Sequence, residues 1–89
     1  MRQQLLVIFT IQTENLPSNF QEIIQLEQEV VGGWKSEGIL EHLYLRPARN
    51  GAILVLNELD ESKAEKLMST LPLFPWMQSI EYFPIINPE

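Results

Sequence analysis

Residues 39–59 read "ILEHLYLRPARNGAILVLNEL". Two runs rich in β-branched and aliphatic residues flank a polar break. Pro47 closes the first run, and Asn50-Gly51 within "ARNG" (48–51) supplies the positive φ of a tight turn. The spacing predicts a hairpin with strands at 39–47 and 52–59. What lies on either side of this hairpin decides the fold. Upstream, "FQEIIQLEQEVVGGW" (20–34) has helical period and runs to Ser36 or Glu37, with Gly38 as a natural residue just past the end. Ser18 or Asn19 can cap its start, and Glu22 completes a capping box if the cap is Asn19. Before it, "QQLLVIFTIQ" (3–12) reads as a strand, broken by "NLPSNF". Downstream, Asp60 caps a helix over 61–71, with Ala64, Leu67, Met68 and Leu71 on its apolar side, and Pro72 stops it. "QSIEYFPII" (78–86) is a last strand. Pro84 cannot donate to a ladder, so this strand lies at an edge or is bulged there.

The order is therefore β-α-β-β-α-β. With right-handed crossovers it gives an α+β, ferredoxin-like fold: a four-stranded antiparallel sheet with both helices on one face. The 89 residues are expected to form one domain, 1–89. The far face of the sheet is then uncovered. The strands carry apolar residues on both sides, Leu5, Val7 and Phe9 against Leu6 and Ile8, and Leu54 and Leu56 against Ile53 and Val55. A half-solvated sheet should alternate more cleanly, and an apolar face this large needs a cover. A second copy of the chain, sheet against sheet, is the simplest cover. A homodimer or larger homo-oligomer is expected.

Composition narrows the chemistry. There is no cysteine and one histidine, which excludes disulfides, thiol nucleophiles and zinc sites of the Cys/His kind. No ligand-spaced acidic loop or phosphate-cradling glycine loop is visible, so neither a metal nor a cofactor is expected. Twelve acidic residues face six scattered basic ones, for a net charge of −6, so nucleic acid and anionic membrane surfaces are not expected partners. No apolar run is long enough to span a bilayer and no signal peptide is seen, so the cytoplasm is the default location.

The first helix holds one anomaly. Stepping roughly 100° per residue from Phe20, the residues Ile23, Ile24, Leu26, Val30, Val31 and Trp34 fall on one arc. Glu27 lands near the middle of that arc. Burying an unpaired carboxylate is expensive, so an arginine, a ligand or solvent in a cleft must meet it. Gly32-Gly33 in the same helix costs about 1 kcal/mol per glycine relative to alanine. It marks close packing, fraying or backbone room beside a ligand.

The segment "LMSTLPLFPWM" (67–77), with Glu37-Gly38 and His42-Leu43-Tyr44, resembles the muconolactone delta-isomerases, and more broadly the dimeric αβ-barrel proteins. The resemblance implies two ferredoxin-like units with facing sheets. It also implies a cofactor-independent reaction that shifts a carbon–carbon double bond in a small unsaturated lactone or carboxylic acid. It places the proton-transfer base at Glu27. The family's lysine one turn before that glutamate is Ile24 here, and its His-Tyr pair falls near Arg49 and Asn50. A carboxylate substrate needs a cation, and Arg46 is the expected clamp, since it shares a strand face with His42 and Tyr44 at period two. His42, Tyr44 and Trp34 are further candidate substrate contacts. The "LPLFPWM" turn projects Leu73, Phe74 and Trp76 and reads as a subunit contact. The alternative is a non-catalytic dimeric module that binds a small ligand or serves only assembly, with Glu27 satisfied by protein groups.

Overall fold

The computed structural model describes residues 1–88. The chain runs β1 (Arg2–Ile11), α1 (Phe20–Ser36), β2 (Leu40–Leu45), β3 (Gly51–Asn57), α2 (Glu61–Met68), a 3-10 turn (Phe74–Trp76) and β4 (Met77–Asn87). The strands form one antiparallel sheet in the order β2-β3-β1-β4, the ferredoxin-like arrangement. Both helices pack on one face. Val31 and Trp34 of α1 and Ala64 and Met68 of α2 share a core with Leu5, Val7, Phe9, Leu54 and Leu56. No helix among the described residues is long and apolar enough to cross a membrane.

The helix ends follow from local chemistry, with two departures from the sequence reading. Gly38 takes φ +80, and the N–H groups of Gly38 and Ile39 donate back to the Lys35 and Trp34 carbonyls. This closes α1 with a Schellman motif and turns the chain straight into β2. At the other end, Asn19 occupies the N-cap position, but its side chain makes no cap bond, so the capping box does not form. Its turn-like φ/ψ of −95/25 continues the preceding Pro17–Phe20 turn, where a capping side chain needs extended backbone. Asp60 does cap α2, accepting from the Lys63 N–H at 2.7 Å. The second departure is that α2 ends at Met68, and the chain to Leu71 tightens into turns closed by Thr70 N–H to Leu67 and Leu71 N–H to Met68.

Pro84 sits within an unbroken β4, opposite Leu5. It is tolerated because β4 is an edge strand. The irregularity in that pairing lies elsewhere, between Thr10 and Ile11. At the β2–β3 turn, positive φ belongs to Arg49 (57°) and Gly51 (158°), not to Asn50. Gly51 is required by close approach, because a Cβ there would collide with the Phe9 carbonyl oxygen.

The face away from the helices carries Leu6, Ile8, Ile53, Val55, Phe83 and Ile85, with Tyr44 at one side. Phe83 and Tyr44 are 42% and 56% exposed, so an apolar surface stands open on this chain.

Candidate active site

Three residues of α1 are buried: Glu27, Val31 and Trp34. On the helical wheel they fall within roughly 60° of one another, with Glu27 between the other two. The carboxylate is therefore aimed where the helix meets the sheet. Leu26, at the margin of the arc, is 52% exposed.

The helix does not close fully on the sheet. A cavity of about 610 Å³ lies between α1 and the strands β1, β3 and β2. Ile24, Glu27, Gln28, Val31, Gly32 and Lys35 form its helical wall, a stripe at spacings of three and four. Phe9, Ala52 and Leu54 form its floor, and Leu73 reaches in from the turn before β4. Gly32 gains meaning here. Outside the local helix backbone, no atom lies within 4 Å of a Cβ placed at Gly32 or Gly33, so close packing does not explain either glycine. Gly32 leaves part of the cavity wall as bare backbone.

Glu27 is 8% exposed. Its Oε1 accepts a hydrogen bond from the Leu73 N–H at 3.1 Å. Among the described residues no cation pairs with it, and the one ion pair is Arg2–Glu41 at 3.1 Å. Burial pushes the Glu27 carboxyl above the usual glutamate range, and the Leu73 N–H offsets part of that rise by favouring the anion. Glu41, which also borders the cavity, is committed elsewhere. Its oxygens accept from Asn57 Nδ2 and Arg2, which lower its pKa.

The cavity gathers some of the sequence candidates and not others. Glu27 and His42 contribute to its lining. Trp34 is 6% exposed and belongs to the core rather than the cavity wall. Tyr44 and Arg46 lie on the opposite face of the sheet, where Tyr44 pairs with Ile53 and Arg46 Nη1 donates to Thr10 Oγ1 at 2.9 Å. The cause is a bulge in β2. Leu40 pairs with Leu56, but His42 pairs with Val55, so Glu41 is an extra residue. A regular strand would put 42, 44 and 46 on the same side as Leu40. The extra residue moves them to the other side and brings Leu43 and Leu45 to the cavity. His42 remains at the lip, its ring 6.0 Å from that of Tyr44.

Two cavity residues, Lys35 and Leu73, were given no place in the site by the sequence, and Arg49 entered only as standing near the family's His-Tyr pair. Lys35 was legible in principle, since it continues the stripe through Glu27 and Val31 at i+4 and i+8. Arg49 depended on the shape of the turn. Leu73 acts through its backbone N–H, which side-chain patterns do not report; only the prolines bracketing its turn hint at a fixed geometry. The "LPLFPWM" segment thus touches the site as well as presenting Phe74, which is 39% exposed.

The chain is thus an α+β protein of ferredoxin-like topology with a buried carboxylate in the wall of a cavity, paired with no cation among the described residues. Residues 5–85 match the profile of the muconolactone delta-isomerase family, and the chain belongs to that family. No curated protein sequence matches it. Among solved structures, the crystal structure of muconolactone isomerase at 3.3 Å resolution is similar, with TM-score 0.74 and 24% identity over 96% of this chain and 91% of that one. That likeness carries the fold.

Proposed function

We propose that this chain is a cofactor-independent isomerase that shifts a carbon–carbon double bond in a small unsaturated lactone or carboxylic acid, with Glu27 as the proton carrier. The observation that carries the reading is the Glu27 carboxylate in the cavity wall, held by one backbone N–H and, among the described residues, by no cation. In an α,β-unsaturated lactone, Glu27 takes a proton from the γ carbon. The C–H electron pair forms the new β,γ double bond, and the old π pair moves toward the carbonyl as a dienolate. The protonated Glu27 then returns the same proton to the α carbon. Atoms and charge balance without a co-reactant. A carboxylate raised by burial is a stronger base than a solvated one, and its conjugate acid is ready to give the proton back. The Leu73 N–H fixes Oε1, which leaves Oε2 to carry the proton.

Family membership supports the reaction class. The competing reading, a module of the same fold that only binds a ligand or assembles, draws on Ile24, which lines the cavity where the resemblance places a lysine. Turnover of a muconolactone panel by the wild type and Glu27→Gln separates the two. Equal rates in both, or none in either, defeats the isomerase reading for these substrates.

The same chain is proposed to work as a homodimer or larger homo-oligomer with the open sheet faces together. Phe83 and Tyr44 would then lose the exposure they have here. Sedimentation velocity at micromolar concentration is expected to show at least two chains per particle, and a clean monomer overturns the pairing.

A further inference from the structure

Asn57, the last residue of β3, is the hub of a side-chain network where α1 enters β2. Its Nδ2 donates to the Gly38 carbonyl at 3.0 Å and to Glu41 Oε2 at 3.1 Å. Its Oδ1 accepts from the buried Gln4 Nε2 at 3.0 Å. Its backbone N–H donates to the Ile39 carbonyl at 2.8 Å. Arg2 holds the other Glu41 oxygen at 3.1 Å. One amide thus ties together the end of α1, the β2 bulge and β1.

The bulge reconciles two fixed ends of β2. Before it, Leu40 is 4% exposed and packs in the core. After it, the Arg46 N–H donates to the Gly51 carbonyl and Arg46 Nη1 to Thr10 Oγ1. With Glu41 drawn out of the ladder, Leu43 pairs with Leu54 and Tyr44 with Ile53. Without the bulge one end must give. Moving Leu40 would expose a core side chain. Moving residues 42–45 exposes little that is now covered, because Leu43 and Leu45 are already 43% and 77% exposed. The segment beyond Glu41 is therefore the part that slips, and a slip of one residue exchanges its faces. His42 would then stand opposite Leu54 and Tyr44 opposite Ala52, both in the cavity lining. The tyrosine ring would fill space that the bulged register leaves empty.

We infer that Asn57 is a positioning residue for the cavity: by holding Glu41 in the bulge, it keeps Leu43 and Leu45 on the cavity side of β2 and the Tyr44 ring out. Asn57 is not in the cavity lining and acts only through the register of β2. The kinetic consequence rests on the proposed isomerase reading of the cavity; the register itself does not.

The chain has no cysteine, so an introduced pair reports register directly. Opposed residues on antiparallel strands bring their Cβ atoms to about 4.5–5.5 Å, close to the span of a disulfide. Tyr44→Cys/Ile53→Cys is expected to oxidise to an intramolecular disulfide, and Leu43→Cys/Ile53→Cys is not. Adding Asn57→Asp should reverse that preference, because aspartate keeps the acceptor for Gln4, loses both side-chain donors and repels Glu41. Deleting Glu41 removes the residue the network holds. The Tyr44–Ile53 pairing should then form whether or not Asn57→Asp is present. Without introduced cysteines, Asn57→Asp should raise KM for a lactone that wild type turns over by about tenfold, with a smaller change in kcat, and the Glu41 deletion should reverse most of that rise. Tyr44–Ile53 pairing that persists in Asn57→Asp, or reversed pairing with unchanged KM, overturns the inference. If Asn57→Asp does not fold, the same variant with Glu41 deleted must fold and show the wild-type pairing; failure of both makes Asn57 a residue of the fold alone and also overturns it. Reversed pairing in a protein whose wild type turns over no lactone sustains the register role and counts against the isomerase reading instead.

Discussion

Glu27→Gln is expected to lower turnover of a muconolactone-type substrate by about 10²- to 10⁴-fold, the usual contribution of a positioned acid–base group. The amide keeps the shape of the side chain and can still accept from the Leu73 N–H, so the cavity should survive. What it loses is the proton. Wild-type kcat/KM should rise with pH through the raised Glu27 value, on a limb lying above the ordinary carboxylate range, and the variant should lack that limb. Stability should respond in the opposite sense. Burial raises the folded-state pKa, so the native protein binds the Glu27 proton more tightly than the unfolded chain does. Below the unfolded value of about 4.5 both states are protonated and the group contributes nothing. As pH climbs from there through the raised folded value, wild type loses stability that Glu27→Gln keeps. The variant's advantage in melting temperature should therefore grow with pH and then level off. A constant difference from pH 4 to 8, with unchanged turnover, would return Glu27 to the status of a satisfied core carboxylate.

That carboxylate was legible because α1 segregates its residues so strictly. One charged residue among Val31, Trp34 and their neighbours stands out without any structure. The order of elements was legible for a similar reason: Asn, Gly and Pro fall between periodic runs, and each run has one dominant period. What failed to transfer was placement within β2. The side-chain period of a strand is two, so a single extra residue exchanges its faces. The bulge at Glu41 is that residue, and it took Tyr44 and Arg46 away from the cavity. Nothing in "ILEHLYLRP" marks it. It is held by contacts with distant residues, Glu41 with Arg2 and Asn57, and Asn57 in turn with the Gly38 carbonyl and Gln4. A pattern read locally cannot contain them. The same holds for the turn. "ARNG" announced a positive φ, and the fold assigned it to Arg49 and Gly51, because only Gly51 fits against Phe9. Arg49, and not Arg46, is therefore the turn's cation at the cavity, with Lys35 of α1 in the same lining.

Gly51→Ala is the substitution expected to damage the fold most. The added methyl would collide with the Phe9 carbonyl oxygen and come within 3.0 Å of the Phe9 carbonyl carbon and 3.1 Å of Thr10 Cα. All three are backbone atoms of β1, an inner strand paired on both sides, so none can swing away as a side-chain tip would. Relief requires breaking the Thr10–Gly51 end of the β1–β3 ladder or opening the turn that carries Arg49. Overpacking against a rigid neighbour costs about 3 kcal/mol, a large part of the 5–15 kcal/mol that holds a small domain together. At fixed protein concentration that corresponds to a fall of about 12–24 °C in melting temperature. Gly32→Ala supplies the contrast. Its methyl meets no atom within 4 Å outside the local helix backbone, and it replaces glycine inside a helix. It should raise stability by about 1 kcal/mol through backbone entropy alone. Two glycine-to-alanine changes in one chain are thus expected to move the melting temperature in opposite directions. If Gly51→Ala melts within a degree or two of wild type, the close approach of the turn to Phe9 is not what holds this end of the sheet.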